Sequence, residues 1–282
     1  MKHLVWILAG MLAGLALPVA AADDGPGSAP LAFGVVPQQS ARTLAGNWAP
    51  LLASVGEASG TPLRFRTAKD IPEFERRLAA GEYDLAYMNP YHYTVFSQRP
   101  GYRAFAKARD KQIKGILVVP KDSPIAHPRE LAGQQLAFPA PAAFAASILT
   151  RAYLAGEGIA FTPHYVASHD SVYRTVAKGL YGAGGGVMRT FNSMEPEVRD
   201  RLRVLWTSEG NTPHAFAAHP RVPAEALERI IAAMVALDRT ESGAALLGPL
   251  RIVGIETAED ADWDDVRGLG IDLLDALAQP VP

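Results

Sequence analysis

The strongest constraint on this chain is its alternation of short apolar runs with longer amphipathic ones. LAFGVV (31–36), LRFRT (63–67) and DLAYM (84–88) read as strands. Between the first two, Leu44, Trp48, Leu51, Leu52 and Val55 recur at helical spacing, the stripe by which a helix buries one face. IPEFERRLAAG (71–81) repeats the device and stops at Gly81, as helices do at a glycine stop. Strands interleaved with helices predict an α/β layer structure with a largely parallel sheet.

The pattern then restarts. YRAFAKAR (102–109) and IKGILVVPK (113–121) close a first series, and QLAF opens a second beyond Pro120. AAFAASILTRAYLAG (142–156) reads as a helix, HYVAS (164–168) as a strand, SVYRTVAKG (171–179) as a helix and AGGGVMRT (183–190) as a glycine-rich strand with its exit. RVLWTS (203–208) and HAFAAHP (214–220) follow, then two helices, PAEALERIIAAMVALDR and one around WDDVRGLGIDLLDAL. Two α/β units of similar size, followed by helices in need of a partner, predict two lobes. Residues 31–117 and 215–282 are assigned to lobe 1 and 118–214 to lobe 2, with crossings near Gly115–Pro120 and Thr212–Phe216. Two lobes joined twice leave a cleft that opens and closes, the usual geometry of ligand capture.

The amino terminus carries Lys2 and His3, the apolar run LVWILAGMLAGLALPVA, and small residues at 20–22. Residues 1–22 therefore read as a cleavable signal peptide, with a retained membrane anchor as the alternative. The chain has no cysteine, which excludes disulfides, thiolate ligands and cysteine nucleophiles. An exported chain without disulfides has to hold together by its core alone. A formal net charge of −2 with mixed signs gives no basic footprint for nucleic acid.

Ligands in open α/β sheets sit beyond the carboxyl ends of strands, and four places fit that address. Gln38 and Ser40 follow the first strand, where they also suit helix capping. Asn89 and Pro90 suit the start of a helix, with Tyr91, His92 and Tyr93 facing either cleft or core. Ala143 and Phe144 open the 142–156 helix, whose free backbone N–H groups make an anion site; the alternative is a tight helix-to-sheet contact needing small side chains. His169 is placed as a donor or cation, or as a structural histidine. Arg189 and Thr190 follow Gly184–Gly186, where the guanidinium fork can hold an oxyanion; a surface ion pair is the alternative.

No nucleophile elbow, HExxH, Walker loop or dinucleotide fingerprint is present, so no enzyme and no cofactor is expected. His92, His169 and His214 could in principle gather a metal, but their spacing does not require one, and none is expected.

LAFGVVPQ, LAYMNPYHY, ELAGQQLAF and YVASHDSVYRTVAKG, in that order and spacing, resemble the periplasmic phosphate, phosphite and phosphonate binding proteins of ABC transporters. This is the PhnD-like group of the type II periplasmic-binding superfamily. The resemblance runs from about Leu31 to the last helix. It implies a bilobal type II periplasmic-binding fold, two α/β lobes joined by two crossing strands. It also implies a periplasmic receptor that binds a small phosphonate-, phosphite- or phosphate-like oxyanion and delivers it to a membrane permease, and a monomer is expected. The alternative is a sensor of a non-phosphorus ligand, feeding a kinase or chemoreceptor. The family's site histidine falls on His169, and its ring after the third strand on Tyr93, with Tyr91 and His92 beside it. Its hydroxyl-rich turn falls on the alanines of 142–146, an acidic position on Gly182, and a later polar segment on Met188, Arg189 and Thr190. With the hydroxyl donors of that turn missing, Arg189 is expected to compensate by binding a carboxylate or other oxyanion.

Overall fold

The computed structural model describes residues 29–274 and residue 277. The expected signal peptide and the end of the expected last helix lie outside them.

The chain builds two sheets. In the first, β1 (Leu31–Val35) runs parallel to β2 (Leu63–Arg66) and β3 (Leu85–Met88). β4 (Arg103–Ala108) closes the first pass of the chain through this lobe. In the second sheet, β5 (Gly115–Pro120) and β6 (Gln135–Phe138) are followed by β7 (Thr162–Tyr165), β8 (Ala183–Val187) and β9 (Leu202–Thr207). Their order is β7-β6-β8-β5-β9. The chain then returns, and β10 (Ala215–Ala218) inserts antiparallel between β3 and β4. β11 (Ile255–Thr257) pairs antiparallel with the outer edge of β4. Both sheets are thus mixed rather than largely parallel, because β10 re-enters the first sheet against the direction of its neighbours and β5 opposes both β8 and β9.

Helix starts follow local capping chemistry. α1 (Ala41–Ser59) is capped by Ser40, whose hydroxyl accepts from the Thr43 amide at 3.2 Å. α2 (Ile71–Ala79) is capped by Asp70, and α3 (Pro90–Phe96) by Asn89, whose side-chain oxygen accepts from the His92 amide at 2.7 Å. Each cap satisfies an amide that the helix itself leaves unpaired. The 142–156 segment is a π-helical turn, Phe144–Leu149, continuing into α4 (Thr150–Gly156). α5 (His169–Ala177) is capped by Ser168. The short α6 (Met188–Asn192) and α7 (Pro196–Arg199) follow β8, and α8 (Ala224–Val235), α9 (Glu241–Leu247) and α10 (Asp264–Arg267) belong to the returning segment. Arg229 of α8 donates to the Ser59 carbonyl at the end of α1 at 2.9 Å, so the tail docks on the first lobe.

The chain crosses between sheets in residues 109–114 and 208–214. Ile113 and Asn211 exchange both backbone hydrogen bonds, at 2.8 and 3.1 Å, and tie the two crossings together. β5 lies wholly within the second sheet. The first crossing therefore precedes the expected Gly115–Pro120, and a lobe boundary at 117/118 would cut a strand whose whole length is paired.

β5 explains its own apolar sequence. Ile116 and Val118 pack with Val172, Tyr173 and Val176 on one face, while Leu117 and Val119 pack with Leu136, Phe138 and Leu154 on the other. A strand buried on both faces has no polar side. The glycine run explains the alanine run. A Cβ on Gly185 would lie 2.0 Å from the Ala146 carbonyl oxygen, and one on Gly115 would lie 2.2 Å from that of Ala145. The π-helical turn thus rests on the sheet backbone to backbone, which demands small residues on both sides.

Candidate functional site between the lobes

Residues from both lobes converge where the strand ends face each other. Val36, Gln38, Ile71 and Asn89 come from lobe 1; Ala143, Phe144, Ala145, His169 and Val187 come from lobe 2; Ile113 and His214 come from the crossings. They enclose a space of about 10 Å³, room for about one water molecule.

Hydrogen bonds span the gap. The His169 amide donates to the Gln38 carbonyl at 3.0 Å, and the Asn89 side-chain amide donates to the Ala142 carbonyl at 3.2 Å. The Arg189 guanidinium donates to the Gln38 side-chain oxygen. The Ser40 amide donates to the Asp170 carboxylate at 3.3 Å. The His169 ring is held from behind by Thr190, whose hydroxyl lies 3.3 Å from Nδ1 and 2.8 Å from the Tyr173 hydroxyl. His214 stacks on Tyr87 with ring centroids 4.9 Å apart, and its Nε2 is buried with no partner among the described residues.

Burial, and then the Arg189 charge, push His169 down to about 3. The same two causes, burial first, hold His214 well below the ordinary histidine range. Burial raises Asp170, against the opposing pull of the Ser40 amide and Arg174. At neutral pH both imidazoles are therefore uncharged, and Arg189 supplies the positive charge. Neutral donors around one guanidinium, beside the first amides of a helix, suit an oxyanion.

Of the residues expected at the site, Gln38, Asn89, Ala143, Phe144 and His169 line this space, Arg189 closes it against Gln38, and Thr190 positions His169. Ser40 stays at the rim as a helix cap. The three rings of α3 depart from expectation. Tyr93 is fully buried on the far side, where its hydroxyl donates to Asp260 at 2.5 Å and its ring packs on Trp263. The Tyr91 hydroxyl accepts from the Leu274 amide at 2.8 Å. His92 pairs with Glu75 at 2.9 Å inside the lobe. None of the three lines the cleft, because every residue of α3 is buried and the helix is enclosed by α2, α10 and the tail.

His214 is the main polar lining residue outside the expected set; its place at the second crossing was its only sequence signal. Val36, Ile71, Ile113 and Val187 read in sequence as ordinary core. Among the described residues no group of His, Asp and Glu is arranged to hold a metal ion, and His92 in particular is engaged by Glu75.

Two α/β lobes joined by paired crossings, with donors from both facing a shared gap, define a two-lobed solute-binding protein. A family model described as "ABC transporter, phosphonate, periplasmic substrate-binding protein" matches residues 33–263, and the chain belongs to that family. It is 23% identical over 281 residues to the phosphate-import protein PhnD of Mycolicibacterium smegmatis, covering 84% of each chain. The fold is similar to that of a binding protein component of an ABC phosphonate transporter from Pseudomonas aeruginosa, with a TM-score of 0.79, 15% identity, and 86% of this chain and 85% of that one covered. It is equally similar to PhnD1 from Prochlorococcus marinus in complex with methylphosphonate, at TM-score 0.79 and 16% identity, covering 87% and 98%. This is a periplasmic substrate-binding protein of the ABC transporter type, from a family of receptors rather than enzymes.

Proposed function

We propose that the ligand is a tetrahedral phosphorus oxyanion, a phosphonate, phosphite or phosphate, gripped between Arg189, His169, His214 and the first amides of the Phe144 helix. The observation that supports this most is the pairing of Arg189 with Gln38 across the gap. A guanidinium with no carboxylate partner among the described residues is held only by a neutral amide, which an anion displaces readily. The space between the lobes is smaller than such an anion, so entry requires the lobes to part about 109–114 and 208–214. Closure on the anion then presents both lobes in register to the permease. The protein works as a monomer after its signal peptide is removed.

Thermal melts of protein freed of co-purified solute test this. Phosphate, phosphite or methylphosphonate at a hundred times its Kd should stabilise the fold by about 2.7 kcal/mol. That corresponds to a rise in Tm of roughly 5–10 °C for a chain of this size. A protein that responds to sulfate or carboxylates but to none of the phosphorus oxyanions would contradict the reading.

A further inference from the structure

We infer that the preferred ligand carries a second anionic group, separate from the phosphorus oxyanion, which occupies a basic chamber on the hinge side of the cleft. This inference rests on the oxyanion reading above. The chamber encloses about 370 Å³, within the size range of small-molecule sites. Ile113, Val187 and His214 line both it and the small space between the lobes, so the two are neighbours on one path.

Its charge is one-sided. Lys111 and Lys114 come from the first crossing, Arg189 from α6 and Arg251 from the returning segment, and no carboxylate is among the lining residues. None of these four cations has a carboxylate within ion-pair distance among the described residues. Arg251 instead donates to the Asn192 carbonyl of the opposite lobe at 3.1 Å. Four cations converging without counter-charge repel one another and attract an anion. A bare phosphate satisfies Arg189 but is too short to reach Lys111, Lys114 and Arg251 as well.

The remaining walls are suited to an organic body. Tyr87, Met188, Pro213 and Ile252 provide apolar surface, and His214, whose buried Nε2 has no partner among the described residues, lines both spaces. The ligand class is thus an organic phosphonate or phosphate ester bearing a carboxylate or a second phosphoryl group.

Calorimetric titration with 3-phosphonopropionate and propylphosphonate isolates the second charge, since the two share a three-carbon chain. The wild-type protein should prefer 3-phosphonopropionate by at least tenfold, and the Lys111→Ala/Lys114→Ala double variant should bring that ratio close to one. Both lysines are exposed, so the variant keeps its fold, which its melting curve verifies. Equal affinities in the wild type, or a preference that survives the double substitution, would overturn the inference alone. If phosphate, methylphosphonate and both three-carbon compounds all fail to bind, the oxyanion reading falls and takes this inference with it.

Discussion

His92→Ala is expected to cost about 1–3 kcal/mol of folding stability and to leave oxyanion affinity as it was. The reason is Glu75. Its carboxylate sits with only 7% of the side chain exposed, and His92 Nε2 is its partner at 2.9 Å. Removing the ring leaves a buried carboxyl group without that hydrogen-bond partner, which costs more than the bond contributes when intact. Asn89 also loses a neighbour 3.1 Å from its amide, but it keeps its bonds to the His92 backbone and to Ala142. Urea unfolding and calorimetric titration of the same preparation separate the two effects. The double change Glu75→Leu/His92→Leu should restore much of the lost stability, since an apolar pair leaves no buried polar group unpaired. A variant with near-normal stability and weakened ligand binding would return His92 to the binding site.

Acidification from pH 7 to pH 5 is expected to remove about 2 kcal/mol of stability through His169 alone. The sign follows from where the protons go. The unfolded histidine titrates near its ordinary value of about 6.5, whereas burial and Arg189 hold the folded one at about 3. Between those values the unfolded chain binds more protons than the native one, so stability rises with pH through the window. His214 is shifted the same way for the same reasons and steepens the slope. The groups facing this pair include Arg189, which disfavours protonation, and Asp170, whose raised carboxyl acts in the opposite sense where it still holds its proton in the folded state. His219 adds a smaller, solvent-screened contribution of the same sign as His169. Unfolding free energies at pH 5, 6 and 7 for the wild type and His169→Gln read the effect directly. The variant should have the shallower slope; equal slopes would show that His169 does not take up its proton on unfolding.

The fold was largely legible because local patterning and tertiary burial agree. Trp48, Leu51 and Val55 point one way on α1, β5 is apolar on both faces, and Ser40, Asp70, Asn89 and Ser168 cap the helices they precede. Sheet direction was less legible. Nothing within HAFAAHP states that β10 slots antiparallel between β3 and β4, a pairing made by residues more than a hundred positions apart. The site divided in the same way. His169 and Arg189 stand at strand exits, where topology alone brings them to the gap. Tyr91, His92 and Tyr93 stand at such an exit too, yet α3 is enclosed on all sides and turns them into the lobe. An aromatic side chain has the same composition signal in a core as in a pocket wall. The basic chamber was hidden for a different reason. Lys111 and Lys114 look like solvated loop residues, and Arg251 meets them only because the tail folds back beside the crossings.

Arg189 is the charge proposed to hold the ligand between the lobes. Isothermal titration of methylphosphonate into wild-type and Arg189→Ala protein tests that role most directly. Loss of a charge-assisted pair to a bound anion, about 1.5–3 kcal/mol, predicts an affinity at least tenfold weaker in the variant, with the melting temperature of the ligand-free protein little changed. Wild-type affinity in Arg189→Ala would contradict the account.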